Sequence, residues 1–251
     1  TANPTGVVSM RGAASAGCSG QPDGGGARSL LMGMYAAMAG HFGPCHWWPG
    51  DSPFEVVVGA VLTQNTAWRN VEKALARLRA LDALRPAALW ALPPEVLQEA
   101  LRPSGFFRLK AERLRNLLDY MRSFAGWDTP PGDASLDFMR SRPGEELRRE
   151  LLAVRGIGPE TADCILLYAL GHPSFVADAY TRRIFSRHGL LTEDAPYERM
   201  RDFFMQALPL DTKLFNEYHA LVVRTGNTFC RKSVPLCSQC PLQRFSTHGP
   251  A

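Results

Sequence analysis

Apolar residues recur at three- and four-residue spacings along most of the chain after Ser29, the periodicity of amphipathic helices. Leu30, Leu31, Met34, Tyr35 and Met38 define a first helix. Phe54, Val57, Val58, Val61 and Leu62 define a second, opened by Asp51-Ser52-Pro53 and ended at Thr63-Gln64-Asn65-Thr66. A third turns Val71, Leu75 and Leu78 inward and Arg69, Lys73, Arg77 and Arg79 outward. Pro86 and Pro94 each open a short helix, to Leu92 and Leu101, because proline suits the first helical position. A basic helix follows Arg102-Pro103-Ser104-Gly105-Phe106-Phe107 and runs to about Ala125, then two more cover Asp133 to Arg140 and Pro143 to Val154. Helical runs meet at Gly156-Ile157-Gly158, and the second of them ends at Gly171-His172-Pro173. Beyond an extended stretch ending at Asp178, further helices are predicted from Ala179, over Tyr197 to Leu208 and over Asp211 to Thr225. No period-two pattern persists for more than a few residues, so the predicted fold is all-α. Residues 1–28, rich in Gly, Ala and Ser, carry too little apolar surface to offset the entropy of ordering and are expected to be disordered.

The length of 251 residues accommodates one domain or two lobes, with 45% hydrophobic and 21% charged residues, ordinary for a globular chain. A net charge of +4 permits a nucleic-acid partner without requiring one. No apolar run approaches the ~18 residues that span a bilayer, and no signal-peptide core stands at the N-terminus. No membrane partner is expected, and a cytoplasmic, reducing location is. There, Cys230, Cys237 and Cys240, separated by six and two residues, read as metal ligands rather than disulfide partners. Zinc with His248 as fourth ligand is one option. Cys18 is incidental, and Cys164, among Ile165, Leu166 and Leu167, is a buried thiol.

The chemistry concentrates around the hairpin. Gly156 and Gly158 permit a tight turn, Ile157 anchors it, and the helix that follows offers unpaired amides to an anion such as phosphate. Asp178 stands where a helix N-cap belongs. Trp47 and Trp48, adjacent on the loop 41–50, read either as a plug at a lobe boundary or as a surface on which an unstacked base rests. Lys110, Arg113, Arg115 and Arg122 read as a solvated basic face or a phosphate track.

These segments resemble the endonuclease III superfamily of DNA glycosylases, whose signature is a helix-hairpin-helix, a Gly/Pro-rich loop and an aspartate. The resemblance covers roughly residues 30 to 246. It implies two helical lobes, residues 52–171 forming a six-helix lobe with the hairpin and residues 29–51 plus 172–251 the second, with a DNA cleft between them. It implies a monomer acting on double-stranded DNA with a flipped damaged base. Asp178 is then the catalytic carboxylate, and Gly156, Ile157 and Gly158 hold the strand. Gln64, with Asn65, fills the gap left by the extruded base, and Gly105, Phe106 and Phe107 form a second probing loop. Enzymes of the superfamily that also cut the strand carry a lysine where this chain has Glu160, so a glycosylase without lysine-dependent lyase activity is implied.

Trp-Trp-Pro, Leu-Thr-Gln-Asn-Thr and Arg-Pro-Ser-Gly-Phe are most similar to the 3-methyladenine DNA glycosylase III branch. This implies release of alkylated purines from a pocket of Trp47, Trp48 and Phe54, with Glu160 among its residues. The alternatives are an endonuclease III-like enzyme for oxidised pyrimidines or mispaired bases, and a non-catalytic helix-hairpin-helix DNA-binding protein. The cysteine spacing is similar to the superfamily's C-terminal [4Fe-4S] loop, with Ser246 where the fourth cysteine stands.

Overall fold

The computed structural model describes residues 24–45, 47, 50–124 and 134–246, and in them the chain is helical with no strand. The helices of the first half are α1 (Gly24–Phe42), α2 (Pro53–Leu62), α3 (Trp68–Ala80), α4 (Pro86–Ala91), α5 (Pro94–Leu101) and α6 (Phe107–Met121). Those of the second half are α7 (Ala134–Arg140), α8 (Gly144–Ala153), α9 (Pro159–Cys164), α10 (Ala179–Arg187), α11 (Tyr197–Ala207) and α12 (Thr212–Thr228). The first helix begins at Gly24, inside the segment expected to lie outside the fold, where Ala27 is buried. Residues 1–23, Trp48 and His248 lie outside the described residues.

Ser52 accepts the Glu55 amide at 3.1 Å and Pro53 takes the first position, so α2 starts where those two residues dictate. Every residue from Phe54 to Leu62 is buried, which makes α2 a central helix rather than an amphipathic one. It packs against α3, α6 and α9, while α1 lies on α11 and α12, and α10 on α12. A cluster of Phe175, Phe185, Phe204, Phe215 and Tyr218 fills this second group of helices, with Phe175 and Phe204 stacked at 3.9 Å between centroids.

Between the two groups runs α9, which does not continue as a regular helix. Ile165–Leu170 winds wider, with the π-type pattern, and Gly171 closes it at φ +75°. Such widened turns tend to occur at functional sites, and this one carries Tyr168. The extended strap from 172 to 178 is then held from below. Asp163, fully buried, accepts Arg148 at 2.8 and 3.0 Å and the Ser174 hydroxyl, and Arg201 Nε donates to Ser174 Oγ at 3.1 Å. Helices α8, α9 and α11 are thereby tied to the strap that ends at Asp178.

Candidate active site

A cleft of about 840 Å³ opens where the two helix groups meet, bordered by Gln64, Arg113, the hairpin 156–158, Glu160, Asp178 and Tyr197. Asp178 caps α10: its Oδ1 accepts the Thr181 amide at 2.8 Å and the Thr181 hydroxyl at 3.0 Å. Its Oδ2 faces His219 Nε2 at 3.5 Å, and the side chain is 13% exposed. The distance marks a charge–dipole contact rather than a tight hydrogen bond. Burial pushes the Asp178 carboxyl up, but the His219 ring and the Thr181 donors outweigh it and hold the group below the usual carboxylate range. The group is therefore an anion at neutral pH.

Behind it stands a line of side chains that the sequence did not mark. His219 Nδ1 meets the Tyr168 hydroxyl, and the Trp47 side chain reaches the same hydroxyl. Burial pushes the Tyr168 hydroxyl well up, so it stays protonated. A Tyr168 hydroxyl donating to Nδ1 leaves the ring proton on Nε2, facing the carboxylate. Trp47, Tyr168 and His219 thus line up behind Asp178, and of these three only Trp47 carried a signal in the sequence.

Glu160 lies at the mouth of the cleft. Its carboxyl is pushed up, first by desolvation and then by the Asp178 charge. The two carboxyls are thus shifted in opposite directions, Glu160 up and Asp178 down.

The hairpin glycines differ. Gly156 adopts φ +93°, and a Cβ there would stand 2.3 Å from Arg113 Cγ. Gly158 has φ −90°, and a Cβ would meet nothing within 4 Å. Only the first glycine serves the internal turn, whereas the second leaves an open face. Gly156→Ala should destabilise the protein by about 1–3 kcal/mol. Gly158→Ala should stay within about 0.5 kcal/mol of the wild type in denaturant unfolding and weaken DNA binding instead.

The other expected site residues scatter. Gln64 folds back onto the hairpin, donating to Gly156 O at 3.2 Å and Thr161 Oγ1 at 2.9 Å while its Oε1 accepts from Arg113. Asn65 beside it is exposed at φ +54°, a left-handed conformation that Asn tolerates. Gly105 and Phe106 are left-handed too, at +67° and +46°, and Phe106 is 69% exposed. Phe107 turns the other way, half-buried, with the Arg102 and Arg108 guanidiniums 4.8 and 5.5 Å from its ring centroid. Ile157 is buried as the hairpin anchor. Phe54, expected in the base pocket, is 1% exposed in the core of α2 and offers no face to a base. Its spacing with Val57, Val58 and Val61 is that of a packed helix.

The cysteine loop departs from expectation. Arg187 donates to Cys230 Sγ at 3.3 Å, Cys237 is exposed, and Cys240 is half-buried with its thiol pushed up by burial. Among the described residues no three His, Cys, Asp or Glu side chains assemble to hold a metal ion. The described residues thus show no assembled site for a [4Fe-4S] cluster on Cys230, Cys237, Cys240 and Ser246, and the zinc alternative involves His248, outside the described residues.

An ionised aspartate at the mouth of a hairpin-bordered cleft, on an all-helical scaffold, defines the class. The chain belongs to the HhH-GPD superfamily of base excision DNA repair proteins, which it matches over residues 58–210. It is similar to a putative DNA repair glycosylase of Methanocaldococcus jannaschii, 41% identical over 86% of this chain and 95% of that protein. Endonuclease III of Thermotoga maritima is 30% identical over 76% of this chain and 81% of its own. In fold it resembles endonuclease III in a non-covalent DNA complex, with a TM-score of 0.71, 24% identity and coverage of 88% and 95%. It also resembles an H. pylori 3-methyladenine DNA glycosylase bound to 1,N6-ethenoadenine, with a TM-score of 0.64, 26% identity and coverage of 80% and 97%. No helix among the described residues is long and apolar enough to cross a membrane.

Proposed function

We propose that the protein is a monofunctional DNA glycosylase that hydrolyses the N-glycosidic bond of alkylated purines, such as 3-methyladenine, in double-stranded DNA. The observation that carries this reading is Asp178, held ionised in the cleft with Glu160, not a lysine, beside it. A carboxylate there stabilises the cation that develops on the sugar as the base departs, and accepts a proton from the water that attacks the anomeric carbon. The C–N bond electrons leave with the base, the water oxygen bonds to the sugar, and the proton rests on Asp178. An N3-methylated purine is cationic and leaves neutral, so it needs no general acid. Reaching it requires extruding the nucleotide. In this reading Phe106 enters the duplex, and Gln64 exchanges its hairpin contacts for the vacated stack. Trp47 and Trp48 receive the base, and the open face at Gly158 meets the strand. Similarity to the H. pylori enzyme over nearly its whole length supports the alkylated-purine assignment.

A glutamate cannot form a Schiff base with an opened sugar, so strand scission through that intermediate is absent. One observation favours a rival substrate: the raised carboxyl of Glu160 could protonate a neutral departing base, as an oxidised pyrimidine or a mispaired base requires. Purified protein incubated with labelled duplexes of each kind should release methylated purines and leave abasic strands intact. Release of only oxidised or mispaired bases would transfer the assignment to the rival. A borohydride-trapped covalent adduct with strand cleavage would overturn the monofunctional mechanism. Support for a [4Fe-4S] cluster rests on cysteine spacing and resemblance alone; metal analysis of the purified protein decides it, and no step here passes through the loop.

A further inference from the structure

The 63–66 turn and the 154–158 hairpin border the cleft, the 104–107 loop comes from a third part of the chain, and one helix holds all of them. Lys110, in the first turn of α6, is 1% exposed, and its ammonium donates to Leu62 O at 2.8 Å and Ser104 O at 2.7 Å. Leu62 is the last residue of α2, directly before the turn that carries Gln64 and Asn65. Ser104 directly precedes the left-handed pair Gly105 and Phe106. One residue row further along, Arg113 donates to Gln64 Oε1 and lies against Gly156. One row further again, Asn116 donates to Arg155 O at 3.0 Å, on the approach to the hairpin. Residues at i, i+3 and i+6 form a slanting row on one side of a helix, so a rigid element spaces these contacts.

Resting on the DNA-repair reading above, we propose that Lys110, Arg113 and Asn116 are positioning residues. They set the 63–66 turn, the 104–107 loop and the 154–158 hairpin in register, so that plug, wedge and strand grip meet DNA together. A lysine is an expensive way to fill a core, since a buried charge needs partners to offset its desolvation. Here both partners are main-chain carbonyls, one ending α2 just before the 63–66 turn and one just before Gly105 and Phe106. The strength of the burial is visible in the ammonium, which desolvation first and the Arg113 charge second push down to about 8. A methionine of similar length fills the same space without holding either carbonyl.

The test compares Lys110→Met and Asn116→Ala with the wild type, first in the absence of DNA. Lys110→Met should raise amide hydrogen exchange about tenfold in the 63–66 and 104–107 segments together, the cost of losing charge-assisted hydrogen bonds. Asn116→Ala, at an exposed contact that folding does not need, should raise it in 154–158 alone. On DNA, Lys110→Met should slow single-turnover base release about tenfold from a lesion in a fully paired duplex. It should leave release from an unpaired lesion near the wild-type rate, because that base needs no wedge. Faster exchange in only one of the two loops, equal loosening of α2 to α6 throughout, or an equal fall in release from paired and unpaired lesions would each overturn the proposal. An unaltered hairpin in Asn116→Ala would do the same. A wild-type protein that releases no base from any duplex defeats the glycosylase reading, yet the exchange measurements still decide whether the row couples the loops.

Discussion

Asp178→Asn should lower single-turnover base release by about 10²- to 10⁴-fold, the range spanned by losing a catalytic base and a preorganised charge, while affinity for the same duplex is retained. The substitution isolates charge from structure. An asparagine side-chain oxygen still accepts the Thr181 amide, so the cap of α10 survives and the fold with it. What disappears is the anion that the proposed mechanism places beside the sugar. Burial opposes that anion, whereas His219 and Thr181 favour it strongly enough to bring the carboxyl below its ordinary value. A depressed carboxyl adds stability that is full above the unfolded value near ~3.9 and drains away as pH falls through the lower folded value. Wild-type release, corrected for spontaneous base loss, should therefore hold steady through mildly acidic pH and fall only below the usual carboxylate range. His219→Phe removes the main opposing partner, leaves only the Thr181 donors against burial, and should carry the acid limb of the profile to higher pH. An Asp178→Asn protein that releases base at the wild-type rate would remove Asp178 from the chemistry altogether.

Asp163→Ala should cost about 3–5 kcal/mol of stability, the penalty for leaving a buried ion pair half made. In thermal unfolding this corresponds to a fall of roughly 10 °C for a domain of this size. Asp163 has no exposed surface and serves two guanidiniums at once, Arg148 at 2.8 Å and Arg201 at 3.4 Å, whose side chains are 9% and 7% exposed. Their remaining carboxylate partners, Glu198, Glu145 and Asp202, are 51%, 70% and 49% exposed and too well solvated to neutralise them alone. Ser174 loses its acceptor in the same step, and with it the strap that leads to Asp178 comes loose. Denaturant unfolding measures the loss directly. A shift under about 1 kcal/mol would mean that water reaches the two arginines and that the strap is held by its aromatic packing alone.

The two experiments probe different halves of one arrangement. In the proposed mechanism the chemistry rests on the Asp178 carboxylate, and the strap that ends there is held by the buried cluster of Arg148, Asp163 and Arg201. Gln64 lines the same cleft, where its amide bonds the hairpin, Thr161 and Arg113. Binding that inserts this side chain must replace those contacts, which gives the free and bound states distinct partners for the same group.

Where local chemistry decides, the sequence alone was informative. Ser52-Pro53 before an apolar run starts α2, Asp178 caps α10, and the glycine-rich hairpin stands between two helical periods, because capping and turn formation involve residues only a few positions apart. The roles expected of Asp178 and of the Gly105-Phe106 loop came from the family resemblance rather than from local chemistry. Packing across the chain decided the rest. Phe54 shares the apolar spacing of α2 and is buried there, while Phe106 and Phe107, adjacent in sequence, face opposite ways. The glycine-rich start of α1 folds although its composition argues against it, since burial against neighbouring helices outweighs weak propensity. The cysteine spacing keeps three thiols near one another, and Cys230 and Cys237 both act on the Cys240 thiol, but among the described residues no metal-holding group assembles from them. His219, Tyr168, Arg113 and Lys110 have no local signature, because each acts on groups delivered by distant segments, and only the closed core sets those distances.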